Sequence, residues 1–248
     1  MQQTPELQTA IEELYRVFEG YRLSANTDPC PCCHSPEEDR RLRSKPLRNL
    51  SSEDLWQYTT DALYTWGGEN EFKHFLPRIL ELLTLVGEPS SVFVDPECVL
   101  GKLTYSSQGK TSWHRWPTLE QAAISRYLHA VWPMVLDTHP DDLSEYPYEW
   151  LCAFAFAEGD LSWYLEYWLT AASVNAHRNL ARMVVFDGLP NATRPTDGYW
   201  ADCKEQWQQL VDWLVRPEVR EKLAAATERW GQLPFAKELY DAVVLLPS

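Results

Sequence analysis

The sequence predicts an all-α fold of about ten helices stacked as antiparallel hairpins. Apolar residues recur at spacings of three and four through most of the chain, which is the period of an amphipathic helix. Residues that start and stop helices divide these runs into segments joined by short links. No segment of usual strand length alternates apolar and polar residues, so we expect no β-sheet.

The N-terminal segment is predicted to be a helix over Glu6–Tyr21, because Leu7, Ile11 and Leu14 lie on one face. The helical period is then lost and prolines recur, which predicts a cysteine-rich loop over residues 24–50. A charged run inside this loop adds at most one helical turn.

A capping box opens the next predicted helix, since Ser51 and Asp54 have the spacing at which each side chain reaches the other's backbone N–H. Its apolar face continues to Trp66, and two glycines then stop it. The following helix, Phe72–Val86, contains Pro77, which predicts a kink or a fresh helix start.

Two further helices are predicted before the middle of the chain. Asp95 followed by a proline is a helix opening, and it predicts a short helix over Cys98–Tyr105. Thr118 and Gln121 have capping-box spacing, and the apolar face continues to about Asp137.

The second half of the chain is the more apolar one. Two segments there are apolar on more than one face, as in central helices, and three more follow at the C-terminus, each opened near a proline or an acid. The predicted helices are Pro147–Ala157, Asp160–Val185, Trp200–Val215, Pro217–Trp230 and Pro234–Leu246. We expect one helical domain over residues 1–248, with the loop at 188–198 as a candidate subdomain boundary.

The charge balance narrows the classes of partner. The chain has 22 Lys and Arg against 36 Asp and Glu, a net charge of −14, which repels nucleic-acid backbones and anionic lipid surfaces. The same field steers a basic protein toward the chain, although high negative charge also serves solubility. No apolar run is long enough to span a membrane and the first residues lack a secretion signal, so we expect a cytoplasmic protein.

The strongest chemical signal is a cluster of cysteines in the first loop. Cys30 and Cys33 have the two-residue spacing that lets two thiolates face one tetrahedral ion, which is half of a zinc site. No second cysteine pair exists, so the candidate metal ligands are Cys30, Cys32, Cys33 and His34, with zinc as the candidate cofactor. The ligand set could also include a distant residue such as His74, His114 or Cys98. The alternative is a loop of free thiols that packs on the fold.

Polar and aromatic residues are dense around His74, which shares a helix face with Arg78. An imidazole–carboxylate pair is one interpretation of this segment. A helix corner in which Phe72, Phe75 and Leu76 pack is the other, and we favour it.

The chain is rich in tryptophan, with 12 in all, and helical spacing places most of them in the core. Trp200, Trp207 and Trp230 border acidic residues and are the best candidates for exposed binding anchors. His114 lies between two tryptophans, which is more typical of a buried, hydrogen-bonded histidine than of a catalytic one.

Several short motifs lie near the cysteine loop: Pro46-Leu47-Arg48, Asp54-Leu55, Ala62-Leu63 and Phe72-Lys73-His74-Phe75-Leu76-Pro77-Arg78. With that loop, they make the first third to half of the chain resemble a group of uncharacterised bacterial helical proteins. The resemblance implies a bacterial, cytosolic protein and implies no particular activity. The later helices are similar in style to HEAT-like hairpins, which is an analogy of architecture.

These observations favour a non-enzymatic, acidic, helical module that binds a protein partner, such as an immunity or inhibitory factor against a basic protein. One alternative is a metal-dependent enzyme in which the Cys30–His34 loop and His74 share an ion with an open position for water. Another is a scaffold with a structural zinc loop.

Overall fold

A computed structural model of the chain describes residues 3–23, 35–85, 95–104, 112–142, 147–186 and 198–247. Over these ranges the backbone forms twelve α-helices and no strand, with one isolated β-bridge between Ala62 and Trp66. The predicted all-α class is therefore confirmed. None of the helices in the described ranges has the length and apolar character needed to cross a bilayer.

Residue contacts divide the chain into two compact units, Met1–Val131 and Trp132–Ser248. The first unit contains α1 to α5 and most of α6, and the second contains the end of α6 and α7 to α12. The single-domain expectation stays a prediction, and the candidate boundary at 188–198 lies almost wholly outside the described residues.

The helices of the first unit are α1 Pro5–Phe18, α2 Pro36–Arg43, α3 Ser52–Asp61, α4 Glu69–Leu82, α5 Pro96–Thr104 and α6 Thr118–Asp137. The helices of the second are α7 Pro147–Glu158, α8 Ser162–Thr170, α9 Val174–Phe186, α10 Lys204–Leu214, α11 Pro217–Trp230 and α12 Ala236–Leu245. Short 3-10 turns lie at Leu47–Asn49, Trp113–Arg115, Pro140–Asp142 and Trp200–Asp202.

The first unit is built on the packing of α1 against α4. Leu7 and Leu14 of α1 are fully buried, as is Phe72 of α4, which is the apolar face that the spacing predicts. The ring of Tyr58 on α3 lies 4.5 Å from that of Phe75, which joins α3 to this core.

The second unit has an aromatic core. The Trp132 ring packs edge-on against Phe154 and Trp168, with centroids 5.5 and 5.4 Å away. The Trp132 indole N–H donates to the backbone oxygen of Tyr164 at 2.9 Å, so this polar group is satisfied inside the core. The α9 helix packs on α12, and α12 also packs on α11.

Helix caps decide where several elements begin. The predicted box at Ser51 and Asp54 is present, with both reciprocal bonds formed. A second capping box, between Ser35 and Glu38, opens α2 inside the segment predicted to be loop. The loop prediction was wrong there, because Pro36 can occupy the first helical turn and the charged residues that follow pair with one another.

Several other helix boundaries differ from the prediction by a few residues, and two of the differences have a clear local cause. The α3 helix ends at Asp61, before Trp66, because Ala62 is already extended with a ψ of 136° and Leu63 follows with a positive φ of 69°. The segment Asp160–Val185 contains two helices, because the Ser173 side chain accepts from the Ala176 N–H at 3.1 Å and caps a new helix.

Candidate functional site

The four predicted metal ligands, Cys30, Cys32, Cys33 and His34, lie outside the described residues. Within the described ranges, no group of three or more His, Cys, Asp or Glu side chains is placed to hold a metal ion. Zinc binding by the cysteine cluster therefore stays a prediction.

The other three cysteines are free thiols. Cys152 and Cys203 are buried, as expected of core cysteines, and Cys98 is half-buried. Burial raises the pKa of Cys203 to about 11, so this side chain remains a neutral thiol at physiological pH.

His74 is half-buried on α4 and holds a defined tautomer. Its Nδ1 atom lies 2.9 Å from the backbone oxygen of Tyr21, and since a carbonyl oxygen only accepts, Nδ1 carries the hydrogen. Burial lowers the pKa of His74 below its usual value, so the ring is neutral and Nε2 keeps its lone pair. The imidazole can therefore act as a base or as a metal ligand through Nε2.

His74 lines a cleft of about 730 Å³ between α1, α4 and the turn at Leu47–Asn49. Aromatic side chains from α1 and its C-terminal end, Tyr15 and Tyr21, form part of the wall. The Arg48 guanidinium lies 3.7 Å from the centre of the Tyr15 ring and makes two 2.7 Å bonds to Glu12. The cleft thus presents an aromatic wall, one imidazole and three guanidinium groups, from Arg16, Arg22 and Arg48, of which Arg48 is paired with Glu12.

Arg78 has a structural role. Its Nε donates to the backbone oxygen of Leu50 at 2.7 Å, and its Nη1 donates to Glu81 at 2.6 Å. Phe72, Phe75 and Leu76 are buried. The interpretation of this segment as a packed helix corner is confirmed.

The expectations for exposed aromatic residues were mostly wrong. Trp200 and Trp207 are buried, and Trp230 is half-buried. His114 is exposed against the Trp113 ring, although its tryptophan neighbours suggested burial. Among the described tryptophans, Trp56 and Trp163 are exposed, each at 41%. An acidic neighbour in the sequence therefore did not predict an exposed tryptophan, since Trp200 and Trp207 both pack in the core.

Trp163 is an exposed ring at the start of α8 that packs on two neighbouring aromatic rings. It stacks on Tyr167, one helical turn on, with ring centroids 5.3 Å apart and planes at 28°. It also meets the buried Tyr164 edge-on at 5.2 Å. Two ring contacts restrict the rotamer of Trp163, so little side-chain entropy remains to be lost on binding.

A carboxylate residue lies three positions before Trp163 in the chain and another three positions after it. Asp160 accepts hydrogen bonds from the side chains of Ser162 and Gln209, each at 2.8 Å. These bonds lower the pKa of Asp160, and the bond from Gln209 has the largest effect. Glu166 lies three residues after Trp163 and pairs with Arg216. We call Asp160, Trp163, Glu166, Tyr167 and Arg216 the α8 surface.

Comparison with known proteins gives no significant match to this chain among protein-family models, curated proteins or solved structures.

Proposed function

We propose that this chain is a protein-binding module that contacts a basic partner through the α8 surface. The observation that carries the proposal is the 41% exposed ring of Trp163, which stacks on Tyr167 in a segment that also carries Asp160 and Glu166. Tryptophan is enriched among interface residues that dominate binding energy, and a ring held in its bound rotamer costs less to immobilise.

The charge of the surface selects the partner's chemistry. Asp160 and Glu166 lie three residues before and three residues after Trp163 in the chain, and an aromatic face with carboxylates nearby attracts an ammonium or guanidinium group. The net charge of −14 adds a long-range field that accelerates the approach of a basic protein. An inhibitory or immunity factor against a basic protein is the form of this function that the charge favours.

Capture from an extract of the source cells tests the proposal, with the intact chain immobilised and bound proteins identified by mass spectrometry. We expect a basic protein whose retention falls as salt rises. Trp163→Ala should weaken binding of the purified partner by about 30-fold, which is about 2 kcal/mol.

Trp56→Ala is the matched control, since Trp56 has the same 41% exposure in the other unit. It should leave the affinity unchanged. Equal losses in the two variants, or retention that does not respond to salt, would show that the α8 surface is not the contact.

A second candidate function is a metal centre that combines His74 with Cys30 and Cys33, and the Nδ1 bond of His74 favours it. Metal-binding histidines commonly donate their other ring N–H to a carbonyl, which fixes the ring and leaves the second nitrogen for the ion. Tyr21, which accepts this bond, lies nine residues before Cys30 in the chain. An open coordination position would make the centre catalytic, and four protein ligands would make it structural.

The zinc content of the purified chain, measured by plasma mass spectrometry without chelators, tests this second candidate. One zinc per chain, lost in Cys30→Ser/Cys33→Ser and in His74→Gln but kept in His114→Gln, is the expected result. His114 is exposed and serves as the control histidine. A metal-free wild-type chain, or zinc kept in His74→Gln, removes His74 from the centre.

A further inference from the structure

In each unit a lysine closes the C-terminal end of a helix; Lys102 of the first unit is buried and Lys222 of the second is half-buried. In the first unit, Nζ of Lys102 on α5 donates to the backbone oxygens of Thr60 and Ala62, both at 3.0 Å, at the end of α3. In the second, Nζ of Lys222 on α11 donates to the backbone oxygens of Leu169 and Ala171 at the end of α8. The two lysines therefore perform the same capping task.

The surroundings of the two ammonium groups differ. The Tyr64 ring covers Lys102, with Nζ 3.9 Å from the ring centre. Lys222 instead lines a pocket of about 220 Å³. An ammonium group has three donors, and capping occupies two of them, so Lys222 retains one N–H for a ligand. The comparison with Lys102 shows that helix capping alone does not require this opening.

The pocket collects positive charge in an acidic protein. Arg229 and His177 line it together with Lys222, and no carboxylate is among its described lining residues. The chain as a whole carries a net charge of −14, so a carboxylate-free wall with a lysine and an arginine departs from the average surface. Such a wall attracts an anion.

Apart from Thr170, the rest of the wall is apolar. Trp230 is half-buried, with its ring 5.0 Å from the guanidinium carbon of Arg229 and 4.9 Å from the His177 ring. Alanines 171 and 172 after α8 and alanines 225 and 226 of α11 complete the lining. A volume of about 220 Å³ is below the range typical of drug-sized ligands, about 300–1,000 Å³, so the ligand must be small.

We propose that this pocket binds a small organic anion, whose carboxylate or phosphate group pairs with Lys222 and Arg229 and whose apolar body lies against Trp230. The bidentate fork of Arg229 fits two oxygens of one such group, and Lys222 supplies a point charge behind it. This ligand site is distinct from the α8 surface. The proposal of an anion site does not depend on the proposal of a basic protein partner.

Benzoate and phenyl phosphate are suitable probes, because each combines one anionic group with a ring that the pocket can hold. Titration of the folded, isotope-labelled chain should give saturable shifts of the Trp230 indole N–H and the Arg229 side-chain resonances. The neutral benzyl alcohol should give none. Tighter binding of benzoate would identify a carboxylate site, and tighter binding of phenyl phosphate a phosphate site.

Arg229→Gln is the decisive variant, because Arg229 is exposed and its loss leaves the fold intact. We expect it to weaken the better probe about tenfold or more. Arg115→Gln, which removes an exposed guanidinium from the first unit, should leave binding unchanged. Absence of saturable binding by both probes, or equal affinity in Arg229→Gln and wild type, would overturn the proposal.

Lys222→Met and Lys102→Met separate ligand binding from helix capping. Both variants remove a lysine that caps a helix, but only Lys222→Met should weaken the probe. If Lys102→Met weakened it equally, the loss would come from general destabilisation and the pocket would not be the site.

Discussion

Nζ of Lys73 lies 2.9 Å from Oε2 of Glu120, and their side chains are only 4% and 8% exposed. Tyr21 donates to the other oxygen of Glu120 at 2.5 Å. Burial alone would lower the pKa of Lys73, but its hydrogen bonds to Glu120, Glu69 and Tyr21 outweigh burial and raise it. The chain thus buries a charged pair that links α4 to α6.

Removal of one charge from this pair should destabilise the fold strongly. Lys73→Met leaves Glu120 buried and unpaired, and we expect it to lower the free energy of unfolding by about 3–5 kcal/mol. Urea denaturation of the purified chain measures the change. Glu69→Gln is the control, because Glu69 is 36% exposed and its 3.0 Å contact with Lys73 should contribute less than about 1 kcal/mol.

The double variant Lys73→Met/Glu120→Gln should recover part of that loss, since no buried charge remains. The single variant Glu120→Gln completes the cycle. If the double variant costs the sum of the losses in Lys73→Met and Glu120→Gln, the two side chains do not interact in the folded protein.

Asp54 should make stability depend on pH in the acid range. Burial favours its neutral form, but the bonds from Lys45, Ser51 and Arg41 together outweigh burial and lower the pKa of Asp54. The stabilisation is therefore complete above the unfolded pKa, about 3.9, and is lost as the pH falls through the lower folded value. We expect the difference in unfolding free energy between wild type and Asp54→Asn to shrink steadily below about pH 4.

Chemical denaturation at a series of pH values measures this difference. Glu53→Gln changes an exposed carboxylate one residue away and should show no such trend. A constant difference across the acid range would mean that the ionisation of Asp54 is not coupled to folding.

Local signals in the sequence were enough to place most helices. The capping box of Ser51 and Asp54 and the opening proline of Pro217–Trp230 are both short-range features, and the structure confirms both. The break between α8 and α9 was missed because apolar residues continue on both sides of it. Its cap, Ser173, has no acidic partner three residues later to mark it.

Long-range pairing accounts for most of what the sequence could not predict. Lys73 and Glu120 are 47 positions apart, and a single sequence does not relate them. Lys222 likewise becomes notable only when the end of α8 is placed beside α11. The exposed Trp163 was missed for the same reason, because the fold decides which tryptophans reach the surface.

Lys102 should give stability a second pH dependence, in the alkaline range. Burial lowers the pKa of Lys102 to about 8, whereas an unfolded lysine titrates near about 10.4. Between these values the unfolded chain binds more protons than the folded one, so stability attributable to this group rises with pH.

The test is to measure the free energy of unfolding of the wild type and of Lys102→Met at intervals from about pH 7 to about pH 10. Stability of the wild type relative to the variant should increase across the window, while Lys237→Met, at an 83% exposed side chain, should follow the wild type. A flat difference for Lys102→Met would indicate that the buried ammonium titrates as it does in water.

Two asparagines of α9 cap the same helix and should contribute unequally to stability. Nδ2 of the buried Asn179 donates to the backbone oxygens of Leu136 and Thr138, both at 3.1 Å, at the C-terminal end of α6. Asn175 is partly exposed, and its Nδ2 donates to the backbone oxygen of Asp137 at 2.7 Å. Water can replace Asn175 in this role but not Asn179.

We therefore expect Asn179→Ala to cost about 1–3 kcal/mol of unfolding free energy and Asn175→Ala less than about 1 kcal/mol. Asn179→Asp should cost more than Asn179→Ala, because its carboxylate cannot donate and would face the negative end of α6. Urea denaturation near neutral pH separates the three variants. Equal costs for the two alanine substitutions would mean that the carbonyls near Leu136 reach water when Asn179 is removed, and that burial does not decide the strength of this cap.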